Sequence, residues 1–176
     1  MVGSILVVDV IIREAEPSDA EGIIAYLQEL AAEPDIGILF WPGEFDPSVE
    51  DERNFIQGHR DADNSILLVA EAGSQIVGVA NCTGGSRKAM RHVGHIGITL
   101  HKDWRGQGIG TRMMRRLLEF ATSSDVLSRI ELEVYACNSR AIHIYEKLGF
   151  KQEGIRHRAY YRDGQYHDSI MMAILS

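Results

Sequence analysis

Residues 105–110, RGQGIG, set three glycines at alternate positions and run at once into a helical pattern, GTRMMRRLLEFA. Consecutive backbone N–H groups at a helix N-terminus bind phosphate without side-chain charge; the glycines let the ligand approach the main chain, and the helix dipole favours an anion. Arg105 precedes the bend, and Thr111 and Arg112 follow it. A bend without a ligand has no need of glycines that cost about 0.5–1 kcal/mol each relative to alanine in regular structure. Other residues could move protons. Glu131 and Glu133 alternate with Ile130, Leu132 and Val134, so both carboxylates share one face of a strand, either toward a cleft or toward solvent. The imidazole of His95, a side-chain type able to take up a proton, is a rival base. Tyr145 puts a hydroxyl on an otherwise apolar helix face, where it needs a partner.

Two phosphate-binding patterns fail on spacing. A nucleotide P-loop needs Lys then Ser or Thr after its last glycine, and Gly110 is followed by Thr111 and Arg112. A dinucleotide fingerprint needs G-x-G-x-x-G directly after a strand. Here the spacing is G-x-G-x-G, and HKDWR separates it from the preceding strand.

The elements that must position these residues follow from periodicity. Val10 to Glu14 reads as a strand. Ser18 and Glu21 suggest a capping box for a helix whose face is Ile23, Tyr26, Leu27 and Leu30. An irregular aromatic stretch, PDIGILFWPGEFDP, leads to a second helix from Ser48 to His59. Ile66 to Glu71 and Gln75 to Cys82 form a hairpin, and HVGHIGITL a further strand. Ile109, Met113, Leu117 and Ala121 mark the core face of the helix after the glycine bend. RIELEVYA is a strand, and NSRAIHIYEKLGF a short helix that Gly149 ends in the left-handed conformation. A last hairpin turns at Asp163-Gly164. The order β-α-α-β-β-β-α-β-α-β-β gives an α/β class with a mixed, mostly antiparallel sheet, one parallel crossover and helices on its faces. Residues 1–9 are read as an unassigned N-terminal extension and residues 10–176 as a single domain.

The 176 residues carry a net charge of −7, which argues against nonspecific nucleic-acid binding; an anionic ligand must be held by a local cluster. Two distant cysteines, Cys82 and Cys137, give neither a disulfide framework nor metal-ligand spacing, so no metal is implied and a cytoplasmic location is expected. Cys137 is read as structural. The apolar start lacks a basic segment and is too short for a membrane span, so no membrane partner is expected.

RGQGIG resembles the arginine-or-glutamine-x-x-glycine-x-glycine/alanine motif of the GNAT N-acetyltransferase superfamily. HIGITLHKDWRGQGIGTRMMRRLLEFA, RIELEVYACNSRAIHIYEKLGF and EGIRHRAYYRDGQYHDSIMMAIL resemble successive family segments in order and spacing, over about residues 10–175. The resemblance implies an enzyme that moves an acetyl group from acetyl-CoA to an amine by direct attack. It implies that the backbone of Ile98, Thr99 and Leu100 pairs with the pantetheine amides, where neighbouring strands splay, and that a main-chain N–H near Leu100 polarises the thioester. It implies that Arg105, Gly106, Gln107, Gly108, Ile109, Gly110 and Thr111 hold the pyrophosphate. Asn138 would touch the pantetheine arm, cap its helix, or both. Tyr145 matches the tyrosine that protonates the departing thiolate. Relatives often carry an acid where this chain has His95, which leaves the base open among His95, Glu131 and Glu133. Lys102, Arg112, Arg115 and Arg116 are candidates to screen the phosphates, the last two more simply a solvated face. His92, His101 and His143 are expected at the surface.

The C-terminal segment resembles bacterial acetyltransferases of amino acids, polyamines or ribosomal-protein N-termini and does not choose among them. The expected acceptor is a small-molecule primary amine. The alternatives are a protein N-terminus, or a coenzyme-A-binding sensor without turnover. Glu44, Asp46, Glu50 and Asp51 would suit a cationic acceptor or form an ordinary exposed loop. A homodimer is compatible with the resemblance.

Overall fold

The structure, a computed structural model, describes residues 9–33 and 41–175. The expected extension over residues 1–9 lies, but for Asp9, outside the described residues, as do the first seven residues of the irregular aromatic stretch. Among the described residues seven strands form one sheet: β1 (Val10–Glu14), β2 (Ile66–Ala72), β3 (Gln75–Gly84), β4 (Val93–Leu100), β5 (Arg129–Tyr135), β6 (Lys151–Arg162) and β7 (Gln165–Leu175), in spatial order β1-β2-β3-β4-β5-β7-β6. Among the described residues only β4 and β5 run parallel; every other neighbouring pair is antiparallel. Among the described residues four α-helices join them: α1 (Ala20–Ala31), α2 (Val49–Asp61), α3 (Ile109–Ser123) and α4 (Ser139–Lys147).

Strand alternation assigns the two faces. Leu68 and Ala70 of β2 join Ile96, Ile130, Leu132 and Val134 in a core closed by α3 and α4. Leu67 and Val69, one residue out of phase, pack on Ile23 of α1 and Ile56 of α2. The α3 face is the one its periodicity predicts, with Ile109, Met113, Leu117 and Ala121 buried together with Met114. Each large side chain removed from water there contributes roughly 1.5–3 kcal/mol.

The start of α1 differs from expectation. Glu16 and Asp19, not Ser18 and Glu21, make the capping box, around a single 3-10 turn Pro17–Asp19. Arg13 of β1 explains the shift: its guanidinium donates two bonds of 2.7 and 2.8 Å to Asp19 and a third of 2.9 Å to Glu71. Ser48 caps α2 by accepting from the Asp51 amide. The last hairpin turns on Asp163 and Gly164, at φ 51° and 77°, the positive angles that a two-residue hairpin loop requires. Among the described residues no helix is long and apolar enough to cross a membrane.

Candidate active site

β4 and β5 pair over only three residues, Val93 to His95 against Arg129 to Glu131. Beyond them β4 follows β3 as far as Leu100, while β5 follows β7 as far as Tyr135. The sheet opens there into a wedge with unpaired backbone on both sides. The wedge leads into a cleft of about 550 Å³ whose lining includes Ile98, Leu100, Gly106, Gly110, Asn138 and Tyr145.

The glycine bend closes one end of this cleft. Gly106 and Gly108 stand at φ 84° and 80°, left-handed angles that favour glycine. Gly108 is the N-cap of α3 and supplies no side chain to its amides. The first intrahelical bond there is from Arg112 N–H to the Gly108 carbonyl, which leaves the N–H groups of Ile109, Gly110 and Thr111 without an intrahelical acceptor. Gly110 and Thr111 both line the cleft. α4 begins nearby, and a Cβ built on Gly106 would stand 3.3 Å from a terminal nitrogen of Arg140. Two helix N-termini and a guanidinium thus converge on one patch, which suits a diphosphate.

Three cations expected near the phosphates are engaged elsewhere. Arg105 lines the cleft, yet its Nε donates to the Leu100 carbonyl at 2.8 Å and an Nη to buried Glu33 at 2.9 Å. It pins the end of β4 to the end of α1. Arg112 donates to the Val10 carbonyl at 3.1 Å, and Arg116 pairs with Glu119 at 3.6 Å. Gln107 is exposed, and its amide donates to the Asp103 carbonyl. Arg140 was missed in the sequence because its helix places it across space from the bend, two residues after the Asn138 cap. Lining residues Leu30 of α1 and Ile144 of α4 were missed too.

Asn138 accepts a bond from Ala141 N–H at 3.1 Å and so caps α4 while lining the cleft. Tyr145 packs edge-on against Phe150 and lines the cleft. Its hydroxyl makes no hydrogen bond with a described residue, and burial pushes its pKa up to about 12. Cys137, expected as a structural residue, is instead exposed and lines the cleft.

The three base candidates lie on the opposite sheet face from Tyr145, the face of α1 and α2. His95 and Glu131 are brought together, Nδ1 to Oε1 at 3.1 Å, while Arg129 holds the other Glu131 oxygen at 2.6 Å. Both sit at the last β4–β5 pair. Glu133 lies one step further along β5, past that pair, and accepts from Arg156 at 2.7 Å and from Ser169. His92 and His143 are exposed as expected; His101 is not, with its side chain 17% exposed between Glu29, Glu33 and Asp103. The early acidic residues serve local structure: Glu44 accepts from Trp41 N–H, Asp51 pairs with the Ser48 cap and Glu50 with Arg53.

A wedge of free strand edge ending at a glycine-cradled helix N-terminus defines a group-transfer enzyme that takes a long, phosphate-bearing carrier. The chain belongs to the acetyltransferase (GNAT) family, which residues 25–150 match, and it is an acetyltransferase of that class. An L-amino acid N-acetyltransferase, AaaT of Escherichia coli K12, is 29% identical over 167 residues, covering 94% of this chain and 97% of that one. A GNAT acetyltransferase of known crystal structure from Streptococcus pneumoniae is 32% identical, with a TM-score of 0.91 over 96% of this chain and 100% of that one. The fold is also that of YncA from Salmonella typhimurium, solved with acetyl-CoA, at 17% identity and a TM-score of 0.81 over 95% and 94% of the two chains.

Proposed function

We propose that this chain moves the acetyl group of acetyl-CoA to a primary amine of a small molecule, by direct attack of the amine on the thioester. The observation that carries this reading is the continuity of one cleft from the uncapped N-terminus of α3, along the free end of β4, to Tyr145. Acetyl-CoA has this linear order of parts: diphosphate, amide-bearing arm, thioester. Main-chain N–H groups of Gly106–Thr111 with Arg140 hold the diphosphate, and the free backbone of Ile98–Leu100 pairs with the arm. The Leu100 carbonyl is already taken by Arg105, so the arm relies on the neighbouring groups.

The amine approaches from the α1–α2 face. An alkyl ammonium with a pKa near ~10.4 must lose a proton before it attacks. His95 with Glu131, or Glu133 through one water, takes that proton; Glu133 lies nearer the opening of the wedge. The nitrogen lone pair then forms the C–N bond, and an N–H near Leu100 stabilises the developing oxyanion. The C–S bond breaks as the tetrahedral species collapses, the Tyr145 hydroxyl gives its proton to the departing thiolate, and the second proton lost by the acylated nitrogen returns Tyr145 to its neutral form through solvent. The Tyr145 hydroxyl is protonated at neutral pH, and burial pushes its pKa further up, to about 12.

Support for a small acceptor comes from the amino-acid acetyltransferase that this chain resembles over nearly its whole length. The test is a panel of amino acids, polyamines and N-terminal peptides with acetyl-CoA, read by free-thiol release. Release with small amines supports the proposal. Release with peptides alone points to a protein N-terminus, and tight coenzyme binding without release points to a sensor. Glu131→Gln, Glu133→Gln and His95→Asn, compared by pH–rate profile, identify the base as the variant that loses the acid limb.

A further inference from the structure

One buried carboxylate holds the passage from β4 to the glycine bend. Glu33 follows Ala32, the C-terminal cap of α1, and its side chain is 6% exposed. One of its oxygens accepts from Arg105 Nη at 2.9 Å, the other from Lys102 N–H at 3.3 Å. Arg105 in turn donates its Nε to the Leu100 carbonyl at 2.8 Å and its own N–H to the Lys102 carbonyl at 3.2 Å. These bonds fasten the 3-10 turn Lys102–Trp104, which joins β4 to Gly106. The Glu33 carbonyl reaches the other half of the sheet, accepting at 3.5 Å from Arg162 at the end of β6. Glu33 is thus bonded to both halves that the wedge separates, to the β4 side through its carboxylate and to β6 through its backbone.

Strand register gives this clamp a chemical consequence. His101 N–H donates to the Val77 carbonyl at 2.9 Å, and Leu100 stands opposite Gly78. Antiparallel residues alternate between pairs that exchange bonds and pairs that face away, so the N–H and carbonyl of Leu100 face away from β3, toward the wedge. Arg105 takes the carbonyl, which leaves the Leu100 N–H for a thioester. Arg105 also lines the cleft beside Gly106. A guanidinium released there would be drawn to a diphosphate at the bend, and the charge of Glu33 holds it on Leu100 instead.

We propose that Glu33 is a positioning residue for acetyl transfer: acting through Arg105, it keeps the Leu100 N–H in register with the diphosphate cradle and withholds that guanidinium from the phosphates. This role deepens the acetyl-transfer reading and rests on it. Glu33 then sets the rate of the chemical step rather than affinity for the coenzyme. An extra grip on the diphosphate would be equal before and during the reaction and would not lower the barrier.

Glu33→Gln keeps the size of the side chain and an acceptor for Lys102 N–H, and removes the charge that holds Arg105. Coenzyme A binding is measured by calorimetry, and turnover by thiol release with whichever amine the panel identifies. Turnover of Glu33→Gln is expected to fall at least about tenfold, as for a misplaced oxyanion donor. Coenzyme A should bind about threefold more tightly at low salt, the gain fading as ionic strength rises. A residue that merely supports the fold would lose affinity and turnover together, and that result overturns the proposal. The double variant Glu33→Gln/Arg105→Ala should be no slower than Arg105→Ala, because Glu33 acts through that guanidinium; an additive loss overturns it too. Should Glu33→Gln not fold, Arg105→Lys puts the question from the other partner. Lysine keeps the charge but lacks the fork that bridges Glu33 and Leu100, so turnover should fall while affinity holds; a parallel loss of both again overturns the proposal. The two readings fail differently. A wild type that binds coenzyme A but releases no thiol with any amine ends the transfer reading and this role with it. An active wild type matched by Glu33→Gln in rate and affinity ends this role alone.

Discussion

In the proposed function Tyr145 serves proton transfer and Arg140 anchorage, and each role has its own kinetic signature. If Tyr145 protonates the thiolate, Tyr145→Phe removes a group needed only as the C–S bond breaks. The turnover number should then fall by about a hundredfold or more while the KM for acetyl-CoA holds. The wild-type rate should show no decline near pH ~10, where an ordinary tyrosine ionises, because burial has moved this one up to about 12. A Tyr145→Phe enzyme of unchanged turnover would assign the residue to packing against Phe150. Arg140 lies against Gly106 and pairs with no described carboxylate. Arg140→Ala should therefore weaken acetyl-CoA about tenfold at low salt, with a smaller loss as ionic strength rises. Turnover at saturating coenzyme should be unaffected. An equal loss for desphospho carriers would mean that Arg140 serves the fold rather than the phosphates.

Element by element, the sequence discloses what is local and hides what crosses space. The α3 face, the Asn138 cap, the Gly149 stop and the Asp163-Gly164 turn each depend on residues within one or two turns of chain, and each is where the pattern puts it. The cap of α1 was misread because Arg13, six residues back and on a strand, decides which acid closes the turn. Arg105 was read toward the phosphates because nothing local reveals Glu33, which is 72 residues away in sequence. Arg140 escaped for the same reason. Two predictions belong here. The Arg13 bond is the main cause that holds Asp19 below the usual carboxylate range. Its contribution is therefore full above that range and is lost as pH falls through the lowered value. Asp19→Asn should lower stability by about 1 kcal/mol at neutral pH, and the difference from wild type should shrink in acid denaturation below pH ~3.9. Gly108→Ala should lower stability by about 1–2 kcal/mol through its φ of 80°. The added methyl meets no atom within 4 Å, so strain and not collision is being measured. A Gly108→Ala protein as stable as the wild type would show that the bend relaxes into another conformation.

The whole molecule is a sheet left open along half of one strand pair, and that opening sets how it should respond to its coenzyme. Parallel pairing stops at His95 and Glu131, although β4 and β5 both continue in hydrogen-bonded register with their outer neighbours. The fold therefore does not fray at the gap. It presents edge backbone that an amide-bearing ligand can complete as an added strand. A ligand that binds only this arrangement stabilises it by mass action, about 2.7 kcal/mol at a hundredfold excess over its Kd. Acetyl-CoA should raise the melting temperature accordingly, and the gain should vanish when the ligand is shortened to acetyl-pantetheine at the same concentration, since α3 then loses its diphosphate. Amide hydrogen exchange gives the spatial test. Acetyl-CoA should slow exchange at the N–H groups of Ile96–Leu100 that point away from β3, and at Ile109, Gly110 and Thr111, whose amides lack intrahelical acceptors. The β1–β2 hydrogen bonds, on the far side of the sheet, should change little. Protection spread evenly over all seven strands would mean that the coenzyme tightens the fold as a unit, and the wedge would lose its standing as the place where the carrier is received.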